Sequence, residues 1–169
     1  MTQRTTFKLG MVAAAMCIAV GAAHAANLRW AGANDILTID PHAQNHQTTH
    51  AFLQQIYEGL VRYDAKYQTE PALATKWTQI TPTQVRFELR KGVKFHDGTP
   101  FTADDVVFSL TRAGTAPSNM MSSVQSVKEV KKVDEHTVDL ILKGPNPILL
   151  RELTEARIMN KAWAEKHNS

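Results

Sequence analysis

The sequence has 169 residues, with 19 basic and 16 acidic side chains, a formal net charge of +3 and a single cysteine. Taking away Arg4 and Lys8, which lie in a leader expected to be removed, leaves 17 basic against 16 acidic residues, a balance that gives no ground for a nucleic-acid partner. The cysteine, Cys17, lies in the same leader, which excludes disulfides and thiol chemistry from the mature chain.

That leader runs from a basic start at Arg4 and Lys8 through an uncharged stretch from Leu9 to Ala23 to the small residues of Ala23-His24-Ala25. The pattern is a secretory signal peptide cut after Ala25, and the stretch is shorter than the roughly 20 apolar residues that span a bilayer. A lipid-modified Cys17 is the alternative, disfavoured by bulky Met16 beside it. Removing 25 of the 169 residues leaves 144, enough for one ordinary core.

Asn27 to Ala33 reads as a strand with Leu28 and Trp30 on one face, followed by a loop from Gly32 to Pro41. A helix is expected from Gln47 to Gly59, turning Phe52, Leu53, Ile56, Tyr57 and Leu60 toward a core. Val61 to Tyr63 and Tyr67 to Glu70 suggest a short hairpin. Pro71 suits the first position of a helical turn reaching Trp77, because its missing N–H costs nothing there. Thr81-Pro82-Thr83 then turns the chain into a strand with Val85, Phe87 and Leu89 on one face and Arg86, Glu88 and Arg90 on the other.

Val93 and Phe95 continue that alternation beyond Gly92, and Asp97-Gly98 supplies a turn. Thr102 is placed to cap a helix, with Asp104 and Asp105 in its first turn and Phe101 and Val106 as a hydrophobic staple. The helix ends near Gly114 and Pro117. Val127 to Val133 and Thr137 to Leu142 form a second hairpin, Gly144 to Pro147 break the pattern, and Ile148 to Leu153 and Asn160 to Lys166 read as helical. Hairpins mixed with helices, without regular alternation, indicate an α+β fold.

Chemistry is sparse. His42, His46 and His50 recur every four residues, but no neighbouring carboxylate or cysteine completes a metal site, and solvated histidines near a helix start explain them. His96-Asp97 is better explained as a turn than as a catalytic pair, and capping explains Asp104 and Asp105. Lys128, Lys131 and Lys132 read as a solvated strand face, and Trp77, Phe108 and Trp163 as packed residues. No catalytic residue, metal site or cofactor is expected, since the chain has no activated nucleophile, phosphate loop or zinc-protease motif.

The stretches IYEGLVRYD (Ile56 to Asp64), PALATKW (Pro71 to Trp77), VRFELRKGVKF (Val85 to Phe95) and GVKFHDGTPFTADDVVFSL (Gly92 to Leu110) closely resemble, in order, extracellular solute-binding protein family 5, the peptide- and nickel-binding receptors of ABC importers. The resemblance implies a two-lobed periplasmic-binding-protein-like fold. Ala26 to about Leu60 would begin the first lobe, and Val61 to Ser169 would form an inserted α+β subdomain, with the chain an N-terminal portion of the receptor. It implies a monomer that takes a di- or oligopeptide, or another solute such as nickel, haem, glutathione or an opine, and works with an inner-membrane permease. Two loops are expected to contact ligand: Ala33, Asn34 and Asp35 after the opening strand, and Ser118, Asn119 and Met120 after the capped helix. The competing readings are a secreted hydrolase fragment and a truncated remnant without activity.

Overall fold

In the computed structural model, which describes residues 34–167, the ladder is set by strands whose side chains alternate between a helix-covered face and a polar one. After an irregular segment, helix α1 (Gln47–Leu53) leads to a two-stranded hairpin of β1 (Val61–Tyr63) and β2 (Thr69–Pro71). Strands β3 (Ala74–Thr81) and β4 (Gln84–Leu89) follow, then α2 (Ala103–Ala113) and a 3-10 turn at Met121–Val124. Strands β5 (Val127–Asp134) and β6 (Thr137–Leu142) and two short helices, α3 (Leu149–Leu153) and α4 (Lys161–Lys166), complete the unit. The four longer strands form an antiparallel sheet in the order β3-β4-β6-β5.

Register explains the two faces. Phe87 pairs with Trp77 on one side and Val138 on the other, and Val85 pairs with Gln79 and Leu140. Val85, Phe87, Leu89, Val138, Leu140 and Leu142 are all buried and join Val106 and Leu110 of α2 in one core. The opposite face pairs Arg86 with Asp139 in a two-bond ion pair at 2.7 and 2.8 Å, with Gln84 adding a third bond to Asp139 at 2.9 Å. Bonds from Arg86 hold the Asp139 carboxyl below the usual range against the upward push of burial. Strand β5 lies at a sheet edge, where its lysines discourage further pairing.

Several expectations require correction. The helix expected to reach Gly59 stops at Leu53, leaving Phe52 exposed and Ile56 and Tyr57 half-buried. The chain opens there because Gly59 must bridge to Arg157, an approach so close that an added Cβ would lie 2.9 Å from the Ala156 carbonyl oxygen. Pro71 ends β2 rather than opening a helix, and Trp77 is a strand residue on Phe87 with ring centroids 6.4 Å apart. Pairing with β4 satisfies every second backbone group of that segment, which outweighs its weak helical signals.

Tyr67 turns the first hairpin with φ +58° instead of joining a strand. Val93 and Phe95 lie in a loop closed by a Lys94–Pro100 bridge, with Gly92 and Gly98 at φ +74° and +85°. Trp163 stands 48% exposed and stacks on His167 instead of packing inside, and Phe108 is half-buried. The lysines of β5 do not form one face, since Lys132 turns toward α2 and pairs with Asp104 at 2.6 Å while Lys131 pairs in register with Asp139. The expected leader and the strand from Asn27 to Ala33 lie outside the described residues.

Candidate functional site

The polar groups that cross-link this unit collect on one seam, where residues 34–43 meet the end of α2, the loop beyond it and residues 154–160. Helix α2 positions the seam. Its start is fixed by the Asp105 carboxylate, which accepts the Thr102 N–H at 2.9 Å, and its last turn presents Arg112. Arg112 grips Asp40 with two bonds of 3.0 and 2.6 Å. Burial pushes the Asp40 carboxyl up, but the bonds from Arg112 and from the His42 N–H outweigh it and hold the group below the usual carboxylate range.

His42 is 1% exposed, and its Nε2 lies 3.0 Å from the Arg157 carbonyl oxygen, the geometry of a donated N–H. Burial holds this imidazole below its ordinary pKa of 6.5, against the opposing pull of that carbonyl. His50 is also buried, with Nδ1 3.0 Å from Glu155 and Nε2 3.3 Å from the Met120 sulfur. The bond from His50 keeps the Glu155 carboxyl low. Solvated histidines were expected; His42 and His50 are instead interior cross-links, because the segment before α1 and α1 itself fold under residues 154–159. Among the described residues no three His, Cys, Asp or Glu side chains converge as metal ligands.

Of the residues expected to contact ligand, Ala33 lies outside the described residues, while Asn34 and Asp35 are exposed at the start of the seam. Ser118, Asn119 and Met120 meet the seam from the other side. The Asn119 N–H donates to the His42 carbonyl at 2.9 Å and its side-chain amide to the Ala43 carbonyl at 2.6 Å. Met120 is buried, and its N–H donates to the Ser118 hydroxyl at 3.0 Å. The structure thus brings Ser118 to Met120 onto the His42–Ala43 backbone, with Asn34 and Asp35 farther along the same segment.

Two concavities flank the seam. One, of about 890 Å³, runs along Phe108, Arg112, Pro117 and Ser118 beside Asp40 and Lys161. The other, of about 610 Å³, is floored by Phe95, Phe101 and Ile158 and rimmed by Tyr57, Lys94 and Trp163. Asp97 lies at the rim as a turn residue, its carboxylate accepting the Thr99 N–H at 2.9 Å, the Thr99 hydroxyl at 2.6 Å and the Asn160 amide at 2.9 Å. These bonds, the hydroxyl's above all, draw its pKa down, so it serves the turn and not His96.

Arg157 escaped the sequence reading. It is 4% exposed, and burial lowers its pKa against the opposing charge of Glu155. The available signal was a lone cation inside the apolar run Ala156-Arg157-Ile158-Met159.

The family described as bacterial extracellular solute-binding proteins, family 5 Middle, matches residues 68–168. A putative ABC transporter peptide-binding protein of Brucella ovis is 33% identical over 111 residues, covering 64% of this chain and 21% of the relative. The glutathione-binding protein GsiB of Escherichia coli is 30% identical over 150 residues, covering 84% of this chain and 29% of the relative. Among solved structures, the binding protein AgaA of A. tumefaciens R10, in complex with agropinic acid, superposes with a TM-score of 0.74 at 28% identity, over 80% of this chain and 28% of that one. The chain therefore spans less than a third of the length of each of these proteins.

Proposed function

This chain belongs to the bacterial extracellular solute-binding proteins, family 5, and from that premise we propose that it forms the front of a two-lobed receptor that captures a di- or oligopeptide. In this reading residues 26–60 begin the first ligand-binding lobe, and residues 61–169 form an inserted subdomain. Solute bridging the two lobes stabilises their closed form, and an inner-membrane ABC permease recognises that form. The receptor works outside the cytoplasmic membrane, in the periplasm, as a monomer exported by the leader that ends at Ala25. It has no nucleic-acid partner and makes or breaks no covalent bond in its substrate.

The observation that carries the reading is the family match over residues 68–168, which falls on the same sheet and capped helix that the structure builds into one core. Peptide is favoured over other solutes because the Brucella ovis relative is described as peptide-binding and the Escherichia coli relative as binding glutathione, itself a tripeptide. Asn34, Asp35, Ser118 and Asn119 remain the proposed ligand contacts from this segment, with Ala33 before them and Met120 anchoring the second loop.

Deleting the gene that carries this chain from its host tests the reading. Uptake of one or more members of a labelled di- and tripeptide pool should lose its saturable component. Unchanged uptake across the pool overturns the peptide assignment.

A further inference from the structure

We propose that His50 is a proton-operated clasp on the loop from Ser118 to Met120: as a cation it donates from both ring nitrogens, and as a neutral ring it must let Met120 go. The clasp stands on geometry alone; its bearing on solute rests on the receptor reading, which takes that loop as a ligand contact. His50 is 8% exposed and lies between two groups, a Glu155 oxygen 3.0 Å from Nδ1 and the Met120 sulfur 3.3 Å from Nε2. Neither group has a proton to give. The bond from His50 keeps the Glu155 carboxyl below the usual range, so it is a carboxylate, and a thioether sulfur only accepts.

A neutral imidazole carries one N–H and satisfies one of these acceptors, whereas the imidazolium carries two and satisfies both. When a proton leaves, the charged acceptor makes the stronger bond, so the Nδ1–H stays with Glu155. The Nε2 lone pair then faces the sulfur lone pairs at 3.3 Å, a repulsive contact in a buried site. Met120, 1% exposed, is the side that yields, because its unbranched chain turns about three bonds while His50 is built into α1. Asn119 keeps its bonds to His42 and Ala43, but Met120 leaves the core it shares with Val124. The other titratable or charged groups on the elements packed here are Arg157, which bears on Glu155 through its charge, His46 just before α1, His42 on the Arg157 carbonyl, and the Asp40–Arg112 pair. The clasp is closed on the acid side of the His50 titration and open on the alkaline side, opposite in sign to the loss expected of His42. In the receptor reading, solute capture therefore weakens as pH rises.

The test reads the sulfur and the ring in the same purified chain, across roughly pH 5 to 8. Hydrogen peroxide takes a thioether to its sulfoxide with release of water, and fragment mass spectrometry separates Met120 from Met121, whose 46% exposure makes it the internal reference. The ratio of Met120 to Met121 oxidation should rise about tenfold as His50 loses its proton, in step with the nitrogen NMR signal of its Nε2. Glu155→Gln should hold the ratio low throughout, because an amide both donates and accepts and lets the neutral ring keep its N–H on the sulfur. His42→Gln and His46→Gln should leave the rise in place. A ratio that stays flat while His50 titrates, a ring that stays cationic to the top of the range, or a rise that survives in Glu155→Gln overturns the inference. No solute enters these measurements. Loss of peptide uptake on gene deletion with an unmoved Met120 therefore removes the clasp and leaves the receptor reading standing, and a working clasp with uptake unchanged does the reverse.

Discussion

Asp105 holds the backbone N–H of Lys161 at 2.9 Å with one carboxylate oxygen, while the other accepts the N–H of Thr102 at the same distance. One side chain thereby fixes the starts of α2 and α4, the two elements that carry Arg112 and Trp163 toward the concavities. Asp105→Ala removes a cap and leaves a second N–H without its acceptor, and should cost about 2 to 3 kcal/mol. Asp105→Asn keeps one accepting oxygen and should cost less. Urea denaturation of the three proteins reads the order directly.

Gly59 carries the second prediction. A methyl group at this position would meet backbone carbonyl oxygens of Ala156 at 2.9 Å and Val61 at 3.1 Å, and neither can swing aside as a side-chain end could. Gly59→Ala should destabilise the chain by about 1 to 3 kcal/mol by opening the bridge to Arg157. Gly144→Ala, where an added Cβ meets nothing within 4 Å, serves as the control and should melt close to the wild type. Equal losses at the two glycines would contradict the role given to the bridge.

The pH dependence of stability follows from His42 and Asp40. Burial lowers the His42 pKa in the folded chain, so its contribution is complete above 6.5 and is lost as pH falls below that value, because folding then opposes protonation. The Asp40 pKa is also depressed, so its contribution is present above the ordinary carboxyl value of 3.8 and is lost as pH falls through its lower folded value. Tm should therefore decline in two steps on acidification. His42→Gln, whose amide can still donate to the Arg157 carbonyl, should remove the upper step, and Asp40→Asn should shrink the lower one, to which the depressed carboxyls of Asp97, Asp139 and Glu155 also contribute. A single step unchanged by His42→Gln would contradict the assignment.

Much of the architecture was legible because local signals agree with the tertiary result. The alternation of Val85, Phe87 and Leu89, the Thr102 cap with Asp105, the glycine turn at Gly98 and the hairpin from Val127 to Leu142 all appear in the structure as read. The readings that failed did so where distant partners decide. Nothing near Gly59 announces that Arg157 will lie against it, and nothing near Trp77 announces a strand until β4 is placed beside it.

The seam was the least visible part. His42 and His50 looked like solvated histidines because their partners, Arg157 and Glu155, come more than a hundred residues later. Ser118 to Met120 were legible as a loop, but their attachment to His42 and Ala43 spans 76 residues of chain.

The central claim is that this segment is the scaffold of a solute clamp, with its ligand held between it and a second lobe. Calorimetric titration of the purified mature chain, residues 26–169, with a mixed di- and tripeptide pool tests this most directly. The account predicts no saturable heat at micromolar peptide; a micromolar complex formed by this chain unaided would contradict it.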